Sequence, residues 1–203
     1  MRFIKHWKAV IVSLSIVAAV FLIWDAIFTM KGVWGFNPDY HLSFLLLGMP
    51  IEEWMFFFCI PYASVFIHYS LAYFKPNTLL PIKTTRYITL FFVVFAILML
   101  LLNADKAYTF VNYCFLTGVL LIGLRFGIQI LRRFYLAFLI ILIPFFLVNG
   151  ILTGTGIDAP VVWYNNAENL GIRLGTIPVE DIGYAFNMLF GNVFLIEKLK
   201  GKI

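Results

Sequence analysis

The chain has 203 residues, of which 63% are hydrophobic and only 12% charged, with a mean hydropathy of +0.95. That composition excludes a soluble globular domain. The net charge of +5 does not argue for nucleic acid, because excess Lys and Arg in so apolar a chain mark the cytoplasmic loops of a membrane protein.

Apolar runs of about twenty residues, the length that crosses a bilayer as a helix, predict six spans. They cover 8–28, 50–73, 87–103, 108–127, 134–152 and 178–196, and residues 42–49 are apolar enough to extend the second. The first run is full length and lacks a small-residue cleavage site, so it reads as a span, with no signal peptide. The fold class is an all-α polytopic membrane protein. Six crossings put both termini on one side. That side receives Arg2, Lys5, Lys8, Lys75, Lys83, Arg86, Arg125, Arg132, Arg133, Lys198, Lys200 and Lys202, twelve of the fifteen basic residues. Lys31, Lys106 and Arg173 fall opposite. The positive-inside rule then predicts cytoplasmic termini, and the expected location is the cytoplasmic (inner) membrane.

The acids have the reverse bias. Asp25, Asp39, Glu52, Glu53, Asp105, Asp158, Glu168, Glu180 and Asp181 fall in the outer half or outer loops, and Glu197 alone is clearly inner. Four of them form a motif that occurs twice. Residues 47–62 read LGMPIEEWMFFFCIPY and residues 174–190 read LGTIPVEDIGYAFNMLF, so Pro50 precedes Glu52 and Glu53 as Pro178 precedes Glu180 and Asp181. Proline suits a helix start, where its missing N–H is not needed and the helix dipole favours anions. Acids at two helix starts are thus an ordinary interfacial arrangement. Two copies at one spacing, with Asp25 nearby and aromatics on the next turns, favour a membrane-embedded acid–base site, since intramembrane carboxylates are costly. Neighbouring helix residues point about a hundred degrees apart, so one acid of each pair is expected to face the cavity.

A parallel internal repeat is expected from the same comparison. DAIFT (25–29) closes the first span and NGILT (149–153) the fifth, and each precedes an outer loop and then the motif helix. Trp34, Tyr40, Trp163 and Tyr164 in these loops are explained first as interfacial aromatics, the alternative being that the loops lid the site from outside. Among the many aromatics, Trp24, Trp54, Phe57 and Tyr184 are candidates for a pocket whose ring faces stabilise a cation. Gly118, Gly123 and Gly127 predict close helix packing in the fourth span. Cys59 and Cys114 read as small hydrophobes, and His6, His41 and His68 are scattered. No cofactor or metal signature is present.

WDAIFTMKGVWGFNPDY, PIEEWMFFF and IPVEDIGYAF together resemble the membrane-integral lycopene cyclase family, over nearly the whole chain. The resemblance implies an isomerase, an intramolecular lyase that closes the linear ends of lycopene to β-rings in carotenoid biosynthesis, giving γ- or β-carotene without redox change. It implies a division into a first repeat (1–80), a connecting helix (81–105) and a second repeat (106–203). Family members carry a further hydrophobic helix before the first span, seven in all, so by that comparison the first repeat is one helix short. A neutral carboxylic acid would protonate the terminal alkene and a carboxylate would take the ring proton, with Glu52, Glu53, Glu180 and Asp181 as the acid–base set and Asp25 assisting. On that reading Glu52→Gln or Glu180→Gln abolishes cyclisation. Partners are then lycopene and membrane lipid, with room for a homo-oligomer. Two other classes fit intramembrane acids: a proton-coupled transporter or relay, and a carotenoid-binding scaffold.

Overall fold

The structure is a computed structural model and describes residues 3–202. Arg2, assigned above to the inner side, lies outside the described residues. After a 3₁₀ turn (Phe3–His6) come six helices among the described residues: α1 (Trp7–Met30), α2 (Ile51–Phe74), α3 (Ile82–Leu102), α4 (Ala107–Phe126), α5 (Ile128–Leu152) and α6 (Glu180–Leu199). They answer to the six predicted spans. The largest boundary shifts are at α3 and α5, which begin about five residues early because their first turns are polar. In α5, Arg132 donates to the Leu80 carbonyl (2.6 Å) and Arg133 to that of Pro76 (2.5 Å).

Five helices are long and apolar enough to cross a membrane. The sixth, α6, has the length but carries Glu180, Asp181, Asn187 and Asn192, all buried. It is the core helix, packed against α1, α2, α4 and α5. Polar positions that would be costly against lipid are matched there by neighbouring helices. Asn187 donates to Asn112 Oδ1 (3.1 Å), and the Ser13 hydroxyl donates to the Asn192 carbonyl (2.9 Å). Gly123 and Gly127 let α4 approach α6, since a Cβ there would meet the rings of Phe190 (3.1 Å) and Phe194 (3.0 Å). At Gly118 the same Cβ would meet nothing within 4 Å, so that glycine makes no close approach.

The two outer loops are built alike. Strand β1 (Trp34–Phe36), after α1, pairs antiparallel with β4 (Val162–Tyr164), after α5, in the register Trp34↔Tyr164, Gly35↔Trp163, Phe36↔Val162. Next, Asn37 and Asn165 each cap a 3₁₀ turn by accepting the N–H two residues on. Each loop then closes in a two-residue hairpin, β2 (Leu45–Leu46) with β3 (Met49–Pro50) and β5 (Arg173–Leu174) with β6 (Ile177–Pro178). Leu47 and Gly48 both have positive φ (54° and 79°), as a type I′ turn requires, and Gly175 has φ 65°. Matching residues lie 128 apart throughout, Asn37 with Asn165 and Glu52 with Glu180. Residues 42–49 therefore form a hairpin ahead of α2, and they do not lengthen the span. Leu42, Phe44, Leu45 and Leu47 on it are exposed apolar side chains.

Candidate active site

Pro50 is the residue before α2, and Pro178 ends the strand that leads into α6 through Val179, whose backbone is already helical (φ −61°, ψ −27°). Each hairpin thus delivers its acid pair to a first helical turn at one fixed phase. The first acid of each pair faces the loop: Glu52 accepts the N–H of Leu42 (2.9 Å) and Glu180 that of Leu170 (2.7 Å), each ten residues back. Glu180 also accepts from Thr109 Oγ1 (2.7 Å) and is fully buried, whereas Glu52 is exposed. These two acids tie the loops down.

The second acids face inward. Glu53 and Asp181 line one cavity of about 200 Å³ together with Asp25, so carboxylates from α2, α6 and α1 converge. Asp25 accepts the indole N–H of Trp34 at 2.5 Å, and its other oxygen has no partner among the described residues. Glu53 lines the same cavity from α2. Asp181 differs in kind. Its two oxygens accept the hydroxyls of Tyr108 (2.5 Å) and Tyr164 (2.9 Å). Tyr164 sits on the outer ribbon, where burial and the neighbouring Asp181 hold its phenol well above the usual range, so it stays a donor. Among the described residues no Lys or Arg lines the cavity.

Around the carboxylates stands an aromatic wall. Trp34 meets Tyr108 edge-on at 5.1 Å, and Tyr108 stacks on Tyr164 at 6.0 Å. Of the four pocket candidates, Tyr184 lines the cavity. Trp24 stands behind it, 4.9 Å from the Tyr184 ring and 5.0 Å from Phe115. Trp54 is turned to the hairpin, donating to the Leu46 carbonyl at 3.2 Å. Phe57 is buried in the core, and its neighbour Phe56 lines the cavity instead. Sequence reasoning gave no role to Tyr108 and took Trp34 and Tyr164 as interfacial aromatics. Tyr40 and Trp163 are exposed in the manner of interfacial residues, but Trp34 is buried on Asp25.

The family model described as Lycopene cyclase matches residues 2–71 and 105–199. The chain belongs to the lycopene cyclase family. Both motif regions fall inside the matched stretches, and the unmatched segment between them contains all of α3. Neither a curated protein nor a solved structure matches the chain. As a lycopene cyclase family member it is a membrane protein of carotenoid cyclisation.

Proposed function

We propose that this lycopene cyclase converts the linear ends of lycopene to β-rings by proton transfer alone, with Asp25 and Glu53 sharing the proton that starts the reaction and Asp181 as the base. Asp25 and Glu53 line one largely apolar cavity, where carboxyls cannot all ionise cheaply, and on this reading one of the two holds a proton. It is delivered to the terminal double bond, leaving a tertiary cation. The internal alkene attacks that cation, closing a carbon–carbon bond and moving the charge to the adjacent ring carbon. Asp181, whose two oxygens accept the Tyr108 and Tyr164 hydroxyls, removes a ring proton and forms the ring double bond. No atom other than the proton enters or leaves, and no electron is transferred.

The observation that carries this reading is the convergence of three carboxylates on one aromatic cavity whose lining, among the described residues, includes no Lys or Arg. Ring faces of Trp34, Tyr108 and Tyr184 supply the stabilisation that a carbocation needs in a dry site. General acid–base catalysis contributes about 10²–10⁴-fold, so this fixed environment must supply much of the rest. The repeated hairpin, cap and carboxylate staple support a division into two repeats, 1–80 and 106–203, joined by 81–105. Expression in lycopene-accumulating bacteria tests the reading. γ- or β-carotene should appear on chromatography, and unchanged lycopene with the protein present in the membrane would overturn it.

A further inference from the structure

The carboxylates occupy one end of a longer trough. Along α2 its lining runs from Glu53 through Phe56 and Ile60 to Ile67, one stripe at helical spacing. At ~1.5 Å rise per residue that is about 21 Å of helix, far more than one ring end needs. The opposite wall is α5, with Pro144, Phe145 and Val148. At their inner ends the two helices meet, His68 lying 6.0 Å from Phe134 and Arg133 donating to the Pro76 carbonyl at 2.5 Å. Between that junction and the carboxylates the cavity separates them. Each wall contains an internal proline, Pro61 in α2 and Pro144 in α5, which deletes a ladder hydrogen bond and lets the helix bend. Ala63, Pro144 and Val148 line the trough and are exposed, so the trough is open at its side between α2 and α5.

We infer that this trough between α2 and α5 seats the conjugated chain of a linear polyene, which slides in from the bilayer between Ala63 and Val148 until its end group reaches Glu53, Asp25 and Asp181. The inference rests on the cyclase reading for what happens at the end group. Its own support is continuity: one cavity holds both the acids and the apolar lane. Apolar walls suit a hydrocarbon chain and give water few partners. A chain held along α2 also fixes the end group in depth against the carboxylates, which is the positioning that proton transfer to one chosen carbon requires.

The test places a large side chain on each lip and a matched one off it. Ala63→Trp and Val148→Trp should lower kcat/KM for lycopene in liposomes by about tenfold or more, chiefly through KM. Leu147→Trp, one residue along α5, 67% exposed and outside the lining, should keep the wild-type rate. Wild-type rates in both lip variants, or equal loss in Leu147→Trp, would overturn the trough. Lycopene retained on the purified protein separates this claim from the chemistry: the wild type should carry pigment through detergent extraction and Ala63→Trp should lose it. If the wild type retains lycopene unreacted and Ala63→Trp releases it, the trough stands and the cyclase reading falls. If Ala63→Trp retains as much pigment as the wild type, the trough falls.

Discussion

Both oxygens of Asp181 accept phenol hydroxyls, while among the described residues one Asp25 oxygen has no partner, and the proposed roles of base and acid rest on that difference. Asp181→Asn should cut kcat by about 10²–10⁴-fold with the protein still in the membrane. Tyr108→Phe removes a hydrogen bond to a charged group worth about 1.5–3 kcal/mol, so a fall of about ten- to a hundredfold is expected, read as initial rates on lycopene. Glu52 is exposed and bonded to its own loop, so Glu52→Gln should keep activity within a few-fold. This departs from the expectation drawn from the resemblance, under which Glu52→Gln abolishes cyclisation. Which acid points inward could not be read from the residues, because the phase of α2 is set by the hairpin before it. The roles of Trp34, Tyr108 and Tyr164 were hidden for a related reason. A ring with a polar tip near a span end has the same appearance whether it meets headgroups or a buried carboxylate.

The helices were legible because each is an apolar run bounded by Gly, Pro or charge. Their starts were less so, since polar first turns such as that of α5 leave no hydropathic trace. The outer ribbon and hairpins were not legible at all. Strands of two or three residues are too short to show alternation, and the apolar residues 42–49 imitate the start of a span. The ribbon depends on Gly35, over which the Trp163 indole lies. A Cβ at Gly35 would come within 2.3 Å of Trp163 Cζ2. Gly35→Ala should therefore destabilise the outer loops by about 1–3 kcal/mol, the usual cost of overpacking. A lower thermal midpoint in detergent is the expected reading, and an unchanged midpoint would mean that the ring moves aside freely.

Across the whole molecule the charges sort by end. Arg132 and Arg133 bond to the α2–α3 connection and Lys198 to the Phe126 carbonyl at the end of α4, so the basic connections gather at one end of the bundle. The catalytic carboxylates proposed here lie at the other. With α6 as a sixth crossing, the positive-inside rule predicts cytoplasmic termini. A C-terminal green fluorescent protein fusion should fluoresce, and an alkaline phosphatase fusion at the same point should be inactive. The opposite pair of results would invert the topology. The lane between α2 and α5 belongs to this scale too, because it exists only where two helices far apart in sequence part from one another. No single stretch of sequence carries it.

The central claim is that ring closure begins with a proton from a carboxylic acid and ends with a proton lost to Asp181. The most direct measurement is turnover of lycopene by the reconstituted protein in deuterium oxide, followed by mass spectrometry of the carotenes formed. One deuterium per ring is predicted, so a monocyclic product gains one and a bicyclic product two. Rings formed without deuterium would contradict protonation by a solvent-exchanging acid, and with it the account of this site.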